Sequence, residues 1–148
     1  MKYFEVKELV PKDVYKERGE RSIELMDSRI LGALDALREI VGLPFVVNSI
    51  KYGRDASGLR MPFSKHYSKY SQHSFGRAID FIVPDYKTTH PEDLGYEAIY
   101  SIIKQNRETL KDIHFVEVVD GWVHIDCRVN TNGKDLIFWS PKNGYIDI

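Results

Sequence analysis

A chain of 148 residues, 43% hydrophobic and 29% charged, has the length and composition of one ordinary globular domain with its own core. Its 21 basic and 22 acidic residues give a formal net charge of -1, which offers no electrostatic reason to expect nucleic acid or an anionic membrane as partner. A single cysteine, Cys127, excludes an internal disulfide and a cysteine-rich zinc site.

The opening stretch MKYFEVKELVPKDVYKERGE is charged throughout and has no apolar run. Neither a secretory signal nor a membrane span of about 20 apolar residues is expected, so synthesis in a cytoplasm is. Residues 1–22 read as a docking segment of a single domain covering residues 1–148, with Pro11 opening a helical turn over Asp13–Glu17. The clearest helix follows: Asp27 or Ser28 caps it, Ile30, Leu34, Leu37 and Val41 recur at helical spacing, and Gly42 and Pro44 stop it. Phe45–Asn48 reads as a short buried strand. From Ser49 to Gln72 the chain is irregular, and a loop longer than about 15 residues inside a small domain is functional or disordered. Ala78–Val83 reads as a strand and Pro91 to Gln105 as a helix with Ala98, Ile99, Ile102 and Ile103 on one stripe. Phe115–Val119 and Trp122–Arg128 form a hairpin about Asp120-Gly121, a favoured type I′ turn, and Leu136–Trp139 is a last strand. The sum is an α+β domain, a small antiparallel sheet flanked by helices.

The hairpin carries a geometrical expectation. With Asp120 and Gly121 as the loop residues, Glu117 faces His124 on the same side of the sheet, Cβ atoms roughly 4.5–5.5 Å apart. A surface Glu–His pair would look the same. The second constellation is Ser71-Gln72-His73-Ser74-Phe75-Gly76-Arg77-Ala78-Ile79-Asp80. Asp80 shares a strand face with Ala78 and Ile82, and an aspartate facing a core must be paired, hydrogen-bonded or metal-bound. On its own, this pair reads first as an Asp–His hydrogen bond that fixes the loop. Joined to His124, however, it makes a two-histidine, one-carboxylate set, the usual composition of a catalytic zinc site with an open position. Such a site acidifies water near neutral pH, and Glu117 is placed to take a proton.

These residues resemble the M15 (D-alanyl-D-alanine carboxypeptidase-like) zinc peptidases. SQHSFGRAIDF is similar to their S-x-H-x-x-G-x-A-x-D signature and GWVHIDCR to their closing W-[VL]-H segment. LDALREIVG, PFVVNS and the piece Ser57–Arg60 extend the likeness upstream in the family's order. YFEVKELVPK is similar to small phage-encoded members. The resemblance implies a hedgehog/D-Ala-D-Ala-peptidase-like fold, one Zn2+ per chain held by His73, Asp80 and His124, and Glu117 as the catalytic carboxylate. It implies that Arg60 holds a substrate carboxylate or the developing oxyanion, that Gly76 allows a tight turn, and that Ala78 leaves room beside the metal. The substrate it implies is a peptidoglycan peptide, cut by an endolysin-like or wall-penetrating enzyme acting after release or delivery. Many members place the carboxylate three residues before the last histidine. That position is Gly121 here, and Asp120, one residue earlier, is the alternative base. The family also contains relatives such as the hedgehog signalling domain that keep zinc and bind, so a zinc-stabilised binding or virion structural protein is the alternative function.

Other residues fall into place around this set. Ser71, Tyr70 and His66 are candidate substrate contacts. Asp126, two residues beyond His124, can orient it or pair with Arg128. Tyr52 and Tyr67 read as packing the loop, and Trp122 as supporting the hairpin. His90 and His114 read as surface residues and Cys127 as a small buried hydrophobe. His124-Ile125-Asp126 also opens an iron-oxygenase H-x-D triad, but no histidine follows position 124 to complete it.

Overall fold

A computed structural model describes Met1 to Ile148. Along it run α1 (Lys12–Arg18), α2 (Ser28–Val41), β1 (Ala78–Phe81), α3 (Tyr86–Thr89), α4 (Glu97–Gln105), β2 (Phe115–Val118), β3 (Val123–Asp126), β4 (Ile137–Ser140) and β5 (Gly144–Ile146). Short 3-10 turns lie at Val6–Glu8, Gly19–Leu25 and Gln72–Phe75. The α+β expectation holds. No helix is long and apolar enough to cross a membrane.

Helix α2 forms where its pattern placed it. The Asp27 carboxylate accepts the Arg29 N–H at 2.9 Å, satisfying one free donor of the first turn. Gly42 ends the helix in the left-handed region at φ 75°. Between these ends Ile30, Leu34 and Leu37 are fully buried. The N-terminal segment is part of the same core, since Phe4, Val6, Leu9, Val10 and Val14 belong to one cluster of 28 buried residues reaching to Phe138.

The strands make one sheet in the order β1-β3-β2-β4-β5. It is mixed rather than antiparallel, because β4 runs parallel to β2. The cause is the way the hairpin returns the chain. Asp126 at the end of β3 sits opposite Phe115 at the start of β2, so the chain leaves the hairpin beside that start. The Ile137 N–H then bonds the His114 carbonyl at 2.9 Å, and β4 sets off in the direction of β2. The edge strand β5 then pairs antiparallel with β4.

Period-2 alternation divides this sheet into two chemically different faces. Ile79, Phe81, Val116, Val123, Ile125 and Phe138 point into the core under the helices. The opposite face carries Asp80, His124, Glu117, Trp139 and Tyr145, which are in register across all five strands. That row positions the candidate site.

Three local expectations need correction. Phe45–Asn48 makes a single bridge, Val46 to Ile82, rather than a strand, because the Asn48 side chain turns away to accept the Ser57 N–H. Phe45 and Val47 are nonetheless buried, with Phe45 stacked on Phe81 at 4.1 Å. The helix expected from Pro91 begins at Glu97. Residues ahead of it are drawn into polar contacts: the Asp93 carboxylate and the Tyr86 hydroxyl both accept the Ala98 N–H, capping α4 from outside. The hairpin keeps the expected register, Glu117 opposite His124 and Val118 opposite Val123, but its turn is not type I′. Only glycines have positive φ, so Asp120 lacks the left-handed conformation that type requires, and the ladder closes one pair earlier.

Candidate metal centre

Three donors meet at one point on the polar face. His73, Asp80 and His124 are buried, and one ligand atom from each lies within 4.8 Å of the others. Asp80 on β1 and His124 on β3 are directly paired in the sheet, which fixes two of them. His73 comes from the Gln72–Phe75 turn, which begins with the Ser71 hydroxyl accepting the His73 N–H at 3.3 Å. Gly76 ends the turn at φ 67°, and a Cβ there would stand 2.1 Å from the Leu25 carbonyl oxygen. Only glycine fits this position.

The orientation of each imidazole is set from behind. His73 Nδ1 donates to the Gly58 carbonyl at 2.8 Å, leaving Nε2 as the lone-pair nitrogen on the Asp80 side. Gly58 can present that carbonyl because its backbone lies against Leu9, where a Cβ would meet the Leu9 oxygen at 2.0 Å. His124 Nε2 is 2.8 Å from the Asp126 carboxylate, leaving Nδ1 facing Asp80 at 2.7 Å. Asp126 is itself fully buried and takes Arg128 Nη2 at 2.5 Å. Two anchored imidazoles and a buried carboxylate, each ring nitrogen's partner fixed, are the pattern of a metal centre with its supporting bonds in place. The three side chains lie close enough to bind a metal ion.

Electrostatics agree with this geometry. Burial pushes the Asp80 carboxyl upward, but hydrogen bonds from His124 and His73 outweigh it and hold the group well below the usual carboxylate range. Burial alone would lower His124; contacts with Asp126 and Asp80 prevail and raise it to about 9. Without metal, His124 is therefore an imidazolium between two carboxylates, and a cation entering the site replaces that proton.

A cleft of about 480 Å³ opens over the three donors, lined also by Arg60, Glu117, Tyr70, Ser71, Trp122 and Arg128. Glu117 stands one strand from His124 and half-buried, so the sequence expectation for its position holds. Arg60 donates from Nη2 to Asp80 at 3.1 Å and from Nε to the Ala56 carbonyl at 2.6 Å. Tyr70 and Ser71 line the cleft. Asp126 does both things foreseen for it, holding His124 and pairing with Arg128.

Three expectations fail here. His66 lines a separate depression with Pro11, Lys12 and Phe63, because the loop turns outward between Met61 and Tyr67. Asp120 sits exposed at the hairpin tip and lines another depression with Ser140 and Pro141, so it is not placed as a base. Trp122, expected to support the hairpin, is 38% exposed and lines the cleft. The Gly58 carbonyl and the polar groups of Ser68 and Gln72 were not foreseen, since the loop that delivers them has no periodicity to read.

The chain matches no family model, no curated protein and no solved structure. Functional assignment thus rests on the site itself and on the motif residues.

Proposed function

We propose that this protein is a zinc peptidase that hydrolyses an amide bond in bacterial cell-wall stem peptides, with Glu117 exchanging the protons. The observation that carries the reading is the register row. It sets a free carboxylate, Glu117, one strand away from a buried His–Asp–His donor set whose outward nitrogens are already anchored. Two imidazole nitrogens and one carboxylate suit zinc and leave a fourth position, as catalytic zinc sites require. Bound there, zinc supplies Lewis acidity and lowers the pKa of water to about 7.

The chain's own residues do the rest. Glu117 accepts a proton from the attacking water as its oxygen bonds the amide carbon, then delivers it to the departing amide nitrogen as the C–N bond breaks. Arg60 uses Nε and Nη2 within the protein and directs its remaining Nη1 to a substrate carboxylate or the developing oxyanion. The wall-peptide substrate, the hedgehog/D-Ala-D-Ala-peptidase-like fold and a phage lysis setting are supported by the M15-like motifs in SQHSFGRAIDF and GWVHIDCR.

Glu117→Gln tests the reading. Incubated with a stem pentapeptide, zinc-loaded wild type should release a product detectable by mass spectrometry. The variant should keep its zinc and lose at least about 100-fold in rate, the usual contribution of a positioned acid–base group. An undiminished rate would remove Glu117 from the mechanism. Zinc without hydrolysis of any wall peptide would favour a binding protein.

A further inference from the structure

The polar face does not stop at Glu117. Trp139 on β4 is the sheet partner of Glu117, and Tyr145 on β5 is the partner of Trp139. Together with Phe115 and Arg128, these residues surround a second depression of about 240 Å³. Glu117 and Arg128 line both it and the cleft over the metal donors, so the two are continuous. Phe115 and Trp139 have ring centroids 6.3 Å apart, and the Arg128 guanidinium lies over the Phe115 ring at 3.6 Å. Arg128 gives Nε and Nη2 to Asp126 and leaves Nη1 without a protein partner. Tyr145 is 74% exposed, so its ring is open to a ligand.

The geometry points to a second substrate subsite, in which Trp139 and Tyr145 hold the part of a wall peptide lying three to four residues from the bond that is cut, and Arg128 meets a free carboxylate of that peptide. The distance follows from the sheet. Neighbouring strands are about 4.8 Å apart, so from His124 on β3 the row reaches Trp139 after about 10 Å and Tyr145 after about 14 Å. An extended peptide covers about 3.3–3.6 Å per residue, which makes these distances three and four residues. Large flat side chains with two rotatable bonds give contact area at small entropic cost, and a cation lining the same depression selects an anionic group. A stem pentapeptide has four residues upstream of its terminal D-Ala-D-Ala bond and an acidic residue among them. It fills the row; a dipeptide does not reach it. Because Trp139 is remote from the reacting atoms, its contacts act on binding and, through positioning, on rate.

This inference rests on the proposed wall-peptide substrate, and its test separates the two. The chain has two tryptophans, Trp122 in the cleft and Trp139 in the subsite, so two indole N–H signals report the two places. Zinc-loaded, 15N-labelled Glu117→Gln protein, which keeps its metal without turning the peptide over, is titrated with a stem pentapeptide and, separately, with D-Ala-D-Ala. The pentapeptide should move both indole signals and the dipeptide the Trp122 signal alone. Trp139→Ala should weaken pentapeptide binding by about tenfold, the effect of losing a buried aromatic anchor, and leave dipeptide binding unchanged. If the pentapeptide binds and moves Trp122 while Trp139 stays still and Trp139→Ala binds normally, the subsite is wrong and the peptidase reading survives. If neither peptide binds metal-loaded protein, the wall-peptide reading fails and takes the subsite with it.

Discussion

Replacing Asp126 by asparagine removes the charge that holds His124 from behind, and the consequence depends on pH in a way the geometry specifies. Asp126 is fully buried, 2.8 Å from His124 Nε2, and fixes the ring so that Nδ1 faces the metal position. Losing such a supporting bond costs about 10–100-fold in metal affinity, or about 1.4–2.7 kcal/mol. The same carboxylate, with Asp80, raises His124 to about 9, so at pH 7 the metal must first displace a proton. That competition weakens wild-type binding by about 100-fold at pH 7 relative to its plateau above pH 9. Asparagine relieves part of the competition while removing the support. The full loss should therefore appear near pH 9.5 and shrink toward pH 7, flattening the rise of log affinity with pH. Chelator competition measured from pH 6.5 to 9.5 reads both curves, with urea denaturation confirming that the variant folds. Parallel curves, or equal affinity at pH 9.5, would refute the role given to Asp126.

Three further outcomes follow from the same structure. In the metal-free protein His124 has a pKa of about 9 against an ordinary 6.5, so its contribution is complete below pH 6.5 and lost as pH rises through 9. Urea denaturation in chelator should show a fall on the order of 3 kcal/mol between pH 6.5 and 10; constant stability would contradict the paired imidazolium. Asp80, held low, works in the other direction, and its contribution should fade only below the ordinary carboxylate range. Gly76→Ala should cost about 3 kcal/mol in stability, from its positive φ and the clash with the Leu25 carbonyl, and should weaken metal binding as the His73 turn shifts. Asp120→Asn should leave zinc content and peptide hydrolysis as in wild type, since the side chain lies at the hairpin tip outside the cleft; a large loss would reinstate it as the base.

What sequence reading reached here, and what it did not, follows the range of the interactions involved. Helix α2 was legible because cap, stripe and stop lie within one local segment, Asp27 to Gly42. The Glu117–His124 pairing was legible because hairpin register depends on counting, and the count survived even though the turn type did not. The parallel return of β4 beside β2 was hidden, since it depends on where residues 127–136 lead the chain. With it went the row from Asp80 to Tyr145, whose last two members look in sequence like unrelated aromatics. His66 and Tyr70 lie four residues apart just ahead of the motif, yet one lines a separate depression and the other lines the cleft. No local pattern separates them. The His73, Asp80 and His124 set was legible from its composition, two histidines and one carboxylate, even though Asp80 lies on the polar face of the sheet and not on the core side that Ala78 and Ile82 suggested.

Whether His73, Asp80 and His124 together hold a metal is decided by the zinc bound per chain. Wild type, His73→Ala and His124→Ala are each loaded with zinc, dialysed, checked for folding by circular dichroism and analysed for metal. Wild type should hold about one zinc per chain, and both folded variants should lose nearly all of it. No zinc in wild type, or the same zinc in all three, would contradict a metal site built from these residues.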